Sequence, residues 1–299
     1  MNKLHLLFVA LSIFSSSLQA KLQVFACQPE WGALVEELGG ERIKVFSATS
    51  AYQDVHYIQA RPSLIAQVRR ADLVVCTGAE LEIGWLPMLL RRGSNPDVLP
   101  GADGYFEVAG QITLLDPPTT LDRAAGDVHS RGNPHIQLDP NNYLPIARAL
   151  TERLILLDSQ HEADYRGLGS DFISRWQTAI AAWTVKAEPL KDMPIVVYHD
   201  SWVYMNRWLG LQQMATLETK PGIPPTSKHL SAILAMLQRT PARAIIRAPY
   251  QNARAVEWLH DKTGIPAIEL PYTVGGNKRA TDLFTLFDTT IKLLLEVSG

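Results

Sequence analysis

PIVVYHDSWVYMNRWLGLQQMATL, residues Pro194–Leu217, passes from an apolar extended run through a short polar turn into a helix-forming segment and out again into a second extended run. The stretch predicts a strand over 194–199, a helix over 201–209 opened by Asp200, and a strand over 213–217. Strand, helix, strand within so few residues is the unit from which parallel sheets are built.

The alternation continues outward in both directions. Downstream, the pattern predicts helix 226–238, strand 244–247, helix 253–263, strand 267–270 and a last helix over 280–297. In the first half, strands are expected at 22–27, 43–48 and 72–76. Helices are expected at 31–38, stopped by Gly39 and Gly40, at 62–70 with Pro62 in its first turn, and at 81–92. The middle stretch, 141–190, reads as mostly helical and divided near 157–160; residues 161–186 lack proline, and a helix there would be about 40 Å long. A rod of that length running along both halves implies modest domain motion rather than wide opening. The expected class is α/β, with two lobes of parallel sheet flanked by helices. Expected boundaries are a leader over 1–20, a first lobe over 21–158, a linking helix over 159–190 and a second lobe over 191–299.

Three histidines occupy corresponding points of this framework: His56 in Tyr-Gln-Asp-Val-His, His135 in Asn-Pro-His-Ile-Gln-Leu-Asp-Pro, and His199 in the opening stretch. Each falls where an extended or apolar segment gives way to a loop or helix, the place where open α/β sheets hold ligands. They are too far apart in sequence for a zinc finger, so only a folded scaffold would bring them together. Three neutral imidazoles with a water or a carboxylate form a common tetrahedral zinc set, and zinc, copper, nickel and iron all suit nitrogen donors. A lone histidine beside an apolar strand is more often a hydrogen-bonded structural residue; three at equivalent loops favour ligation. His161, His229 and His260 fall on predicted helices and read as surface residues.

Lys3, the apolar run over 6–13 and the small and polar residues up to Ala20 read as a secretory signal peptide cut after Ala20, which places the mature protein in the periplasm. About 280 mature residues suffice for two α/β lobes with their own cores. A net charge of −2 without a clustered basic stripe argues against nucleic acid; the pairs Arg69–Arg70 and Arg91–Arg92 read as solvated helix faces. Cys27 and Cys76 each end a strand-like run. In an exported protein they form either a disulfide between neighbouring strands or two buried thiols.

The segments Gly-Gly-Glu-Arg-Ile-Lys-Val, Asp-Val-His followed by Arg-Pro-Ser-Leu, Ala-Asp-Leu-Val-Val-Cys-Thr-Gly-Ala-Glu-Leu-Glu, Asn-Pro-His-Ile-Gln-Leu-Asp-Pro and Tyr-His-Asp-Ser-Trp follow one another in order. Together with the leader they resemble the metal-binding solute-binding proteins of zinc and manganese ABC transporters, over essentially the whole mature chain. The resemblance implies a metal site in the cleft between two α/β lobes, with His56, His135 and His199 as ligands. It implies as partners a membrane permease and its cytoplasmic ATPase, and a monomeric protein. Manganese-selective members generally carry a carboxylate where this chain has His199, so Zn2+ is the expected cargo and Mn2+ or iron(II) the alternative.

Two departures from the family pattern concern the fourth ligand and the loop before His135. Members often present an acid in the last strand-to-loop segment of the second lobe. Here that segment, residues 268–276, offers only Glu269, inside the strand; a water or a movable side chain is the other candidate. Many zinc-specific relatives carry a long His- and acid-rich insert, whereas this chain has a short stretch over 114–132 with His129, read either as a plain loop histidine or as a further ligand that meets the incoming ion. Asp54 and Asp200 stand where they could accept the distal ring N–H of a ligand histidine, with Asp200 alternatively capping the next helix. Tyr272 and Trp202 are expected to wall the site, and Gly275 with Gly276 to form a turn. No His-Glu-x-x-His, Gly-x-Ser-x-Gly or phosphate loop is present, so an enzyme, in the form of a three-histidine zinc hydrolase, is the disfavoured rival.

Overall fold

A computed structural model describes residues 21–118 and 126–299. The leader expected over 1–20 lies outside the described residues. In the first lobe, β1 (Leu22–Ala26), β2 (Ile43–Ser47), β3 (Leu73–Cys76) and β4 (Tyr105–Glu107) form an all-parallel sheet of order β2-β1-β3-β4. Helices α1 (Pro29–Gly39), α2 (Pro62–Arg70) and α3 (Leu86–Gly93) connect these strands. In the second lobe, β5 (Pro194–Val197), β6 (Gln212–Thr216), β7 (Ala244–Arg247) and β8 (Ala267–Glu269) repeat the plan in the order β6-β5-β7-β8. Helices α6 (Val203–Leu209), α7 (Ser227–Leu237) and α8 (Arg254–Thr263) are its connections. Between the lobes run α4 (Tyr143–Leu157) and α5 (Glu162–Ala187), and α9 (Leu283–Leu295) ends the fold. Central strands β1, β3, β5 and β7 are apolar and largely buried, as required when helices cover both faces of a parallel sheet.

The long helix α5 buries Tyr165, Gly169, Phe172, Trp176, Trp183 and Ala187, a stripe of three- and four-residue spacing on one face. Trp176 is the centre of that stripe. Its ring lies 5.1 Å from Tyr143, 5.3 Å from Phe172, 5.1 Å from Trp183, 4.8 Å from Phe284 and 5.5 Å from Phe287, and its indole N–H donates to the Pro140 carbonyl at 2.7 Å. These partners come from α4, α5 and α9, so the cluster ties the chain's last helix to its middle. The same apolar core contains Val24 of β1 and Ile195 of β5 and is therefore continuous through both lobes, while two smaller cores cover the outer faces of the sheets. Among the described residues no helix is long and apolar enough to cross a membrane.

The differences from expectation have local causes. Strand β4 was not anticipated, because three residues on a sheet edge, half exposed, carry no periodic signal. The helix expected at 81 starts at Leu86: Ala79 and Glu80 take left-handed conformations, and the Glu82 carboxylate accepts from the Thr77 and Gly78 amides instead of facing solvent. The last helix starts at Leu283, not 280, because Asp282 and Thr285 form a capping box there. Asp158 breaks α4 from α5, accepting from Tyr165 and pairing with the His161 ring at 2.7 Å. His229 and His260 are hydrogen-bonded to the backbone carbonyls of Thr216 and Ile265. Cys27, directly after β1, and Cys76, at the end of the adjacent β3, have Cα atoms 4.8 Å apart and are joined as a disulfide.

Candidate metal centre

The three histidines come from three loops: His56 follows β2 by nine residues, His135 directly precedes a 3₁₀ turn over Ile136–Leu138, and His199 follows β5. His56 sits in a single turn of 3₁₀ helix, Val55–Tyr57, fixed by Asp54, whose Oδ1 accepts both the His56 backbone N–H at 3.0 Å and the ring Nδ1 at 2.8 Å. His135 follows Asn133, a residue that ties three segments together. The Asn133 side chain accepts from the His135 amide at 3.0 Å and donates to the Asp200 carbonyl at 2.8 Å, while its own carbonyl accepts from Tyr204. His199 lies two residues past β5, and its Nδ1 meets the Glu218 Oε2, just past β6, at 2.7 Å.

The three rings converge, with centroids 5.3 to 5.8 Å apart. One nitrogen from each lies within 4.8 Å of the others, and among the described residues that group contains no carboxylate. The Nε2 atoms of His135 and His199 are 3.3 Å apart. A tetrahedral zinc with Zn–N bonds of about 2.05 Å requires N–N edges of about 3.3 Å. With Nδ1 of His56 and His199 donating to carboxylates, Nε2 of each ring is left as the lone-pair donor, the carboxylate–histidine arrangement by which ligand rings are oriented. His56 Nε2 is buried and without a hydrogen-bond partner, an arrangement that costs free energy unless something fills the position.

His135 is buried, and that burial, reinforced by the neighbouring His199, His56 and His129 rings, holds its pKa well below the ordinary histidine value. Its Nδ1 meets the Tyr272 hydroxyl at 2.5 Å. For Asp54, burial pushes the carboxyl upward, but the hydrogen bonds and charge of His56 outweigh it and leave the group below its usual value. Tyr272 lies edge-on to the His135 ring at 5.9 Å and packs against Trp202 at 5.8 Å. Gly275 takes φ 85° in the following turn.

Two positions differ from the sequence reading, and one acid at the site was absent from it. Glu269 is not brought to the histidines: on strand β8 its carboxylate pairs with Arg247 at 2.5 Å. Asp200 orients no histidine either; it accepts from the Gln213 side chain at 2.7 Å, and the helix it was expected to cap begins later, at Val203. The acid that meets His199 is Glu218, which lies outside every motif and reaches the ring only because β6 pairs with β5. His129 lies beside the set, its ring 5.5 Å from His56 and 6.3 Å from His135, with a buried, unpartnered Nε2. Burial, then the charge of His56, lowers its pKa to about 4.

Beneath the site two further acids are buried. Glu30 of α1 accepts from Thr273 of the second lobe, and Glu82 accepts from Gln28 at 2.5 Å; burial raises both from 4.5 to about 7. A carboxyl whose folded value exceeds its unfolded value stabilises the fold only while protonated, so that contribution is lost as pH rises from about 4.5 to about 7. His135 and His129 act in the opposite sense, losing stability as pH falls below 6.5. The comparison that isolates Glu30 is therefore Glu30→Gln against the parent protein. In urea titrations the variant should gain about 2 kcal/mol relative to the parent between pH 5 and 7.5 and change little outside that window. A constant difference across the whole range would contradict the assignment.

The family model described as zinc-uptake complex component A, periplasmic, matches residues 24–297. Among curated proteins, the manganese ABC transporter substrate-binding lipoprotein PsaA of Streptococcus pneumoniae is 21% identical over 274 residues, spanning 87% of this chain and 82% of that protein. The high-affinity zinc uptake system protein ZnuA of Brucella abortus is 22% identical over 129 residues, 43% of this chain and 39% of its own. A crystal structure of ZnuA superposes with a TM-score of 0.77 at 18% identity, covering 94% of this chain and all of that one. A cadmium-bound periplasmic metal-binding protein from Candidatus Liberibacter asiaticus gives a TM-score of 0.74 at 14% identity, covering 94% and 100%. With the family model spanning nearly the whole described chain, this protein belongs to the zinc-uptake component A family of metal ABC transporter substrate-binding proteins.

Proposed function

We propose that this protein captures Zn2+ outside the cytoplasm and delivers it to a membrane permease driven by a cytoplasmic ATPase. The reading rests on one observation above all: three imidazole nitrogens converge within 4.8 Å of one another, with no carboxylate among them. An all-nitrogen set favours zinc over the harder manganese ion, which suits oxygen donors. His56, His135 and His199 are the ligands in this reading, Asp54, Glu218 and Tyr272 orient their rings, and His129 meets the ion or completes its shell. The site binds and does not catalyse: both carboxylates at the rings are occupied in orienting them, so neither is free as a general base. Export through the leader over 1–20 and action as a monomer belong to the same proposal.

The test is competition on the purified metal-free protein. Zinc should displace manganese completely at equal concentration, with an affinity at least about 100-fold higher as expected from the order of divalent-ion affinities for nitrogen sites. Comparable affinities, measured by isothermal titration or by a chromophoric chelator, would overturn the zinc assignment and favour a manganese carrier, as the first-named relative's description states for that protein.

A further inference from the structure

The loop over 126–132 crosses the cleft. On the first-lobe side it is moored by Glu80, whose carboxylate accepts the Ser130 amide at 2.6 Å and the Ser130 hydroxyl at 2.8 Å. Its other end reaches the second lobe, where the Asp127 amide donates to the Pro221 carbonyl at 3.0 Å. Pro221 belongs to a tight turn closed by the Ile223 amide on the Lys220 carbonyl at 3.0 Å, with Gly222 at φ 76° in the third position, as a type II turn requires. The two loops approach so closely that neither tolerates a side chain. A Cβ on Gly126 would lie 2.2 Å from the Pro221 oxygen, and one on Gly222 would lie 2.2 Å from Asp127 Oδ2.

A chain of contacts runs through this junction from one histidine to another. Tyr57, next to His56, donates to Asp127 Oδ2 at 2.6 Å; the Asp127 carboxylate packs on Gly222; and the Gly222 amide donates to Glu218 Oε2 at 3.0 Å. That same oxygen meets His199 Nδ1 at 2.7 Å. Tyr57 and Asp127 also line both a cavity of about 210 Å³ bordered by His56 and His199 and a cavity of about 600 Å³ bordered by His56 and His129.

We propose that Asp127 is a positioning residue of the metal site, holding the Lys220–Ile223 turn so that the Gly222 amide fixes the Glu218 oxygen that orients His199. The inference rests on the three histidines being metal ligands. It makes the orientation of the second lobe's ligand depend on a first-lobe loop, so His199 is correctly aimed only when the cleft is bridged.

A double-mutant cycle on zinc affinity tests it, using the full protein, Zn2+ and a competing chelator. Asp127→Ala should weaken binding about three- to tenfold and Glu218→Ala about 10- to 100-fold, the range for groups that orient metal ligands. If Asp127 acts through Glu218, Asp127→Ala should cost less than about twofold in the Glu218→Ala background, because the oxygen it positions is gone. Tyr57→Phe, which removes one hydroxyl, should show a smaller effect with the same dependence on Glu218. Gly126→Ala, which drives the loops apart while keeping every polar group, should reproduce the Asp127→Ala loss. Equal factors in both backgrounds, or no loss with Asp127→Ala, would overturn the inference; a fall in metal-free thermal stability accompanying equal factors would mark Asp127 as merely structural. A parent protein with no zinc affinity would instead remove the metal-site reading, and this inference with it.

Discussion

His199→Ala should lower zinc affinity by roughly 100- to 1,000-fold, one ligand's share of the approximately 10–16 kcal/mol that a four-ligand structural zinc site supplies. The loss has two parts. One imidazole donor disappears, and the Glu218 carboxylate, now without its ring at 2.7 Å, is left buried beside the cleft. His135→Ala should cost a similar amount and removes the ring nitrogen that the Tyr272 hydroxyl meets. His129→Ala is the contrasting case. Its ring stands outside the group of three, so equilibrium affinity should fall less than about tenfold while zinc association slows, if the residue meets the ion on its way in. Equal losses at His129 and His199, read by chelator competition and stopped-flow mixing, would place His129 among the ligands themselves.

The second large effect lies far from the metal. Trp176→Ala should destabilise the metal-free protein by about 3–5 kcal/mol, the cost of truncating a fully buried aromatic whose surroundings relax only in part. Five aromatic rings contact Trp176, and truncation also leaves the Pro140 carbonyl without its indole donor. Pro140 lies five residues after His135, on the segment that carries this histidine to the cleft. Trp176→Phe keeps much of the volume and should recover more than half of the loss. Denaturant titration of the three proteins at one pH checks the order, and a Trp176→Ala loss below about 1 kcal/mol would contradict the role given to this cluster.

Much of the architecture is legible in the chain because its signals are long and redundant. The βαβ grammar of 194–217 reappears in both sheets, and the proline-free run of 161–186 emerges as α5. The three histidines are legible for a related reason: each stands at a junction between elements, and junctions are where open sheets gather their ligands. What the chain hides is set by pairing across long separations. Glu218 follows a strand with no motif around it, and its contact with His199 exists only through the β5–β6 register, which shifts at Ile195/Val196. Glu269 misled for the converse reason: proximity in sequence to the expected ligand position carries no information on which side of strand β8 the carboxylate leaves, and Arg247 on the neighbouring strand claims it. Asp200 neither orients His199 nor caps the next helix, because the chain turns there and delivers its carboxylate to Gln213.

The core that runs unbroken from β1 to β5 has a thermodynamic corollary. Two sheets with separate cores would melt as two units, and an ion in the cleft would add only to the weaker boundary between them. With a shared core the molecule should melt in a single calorimetric transition whose van't Hoff and calorimetric enthalpies agree. If zinc is the cargo, as proposed, its binding at the cleft should add about 4 kcal/mol of stability to the whole molecule at a free concentration 1,000 times the dissociation constant, and so raise its melting temperature. Heat resistance thereby becomes a direct gauge of how much of the protein carries cargo.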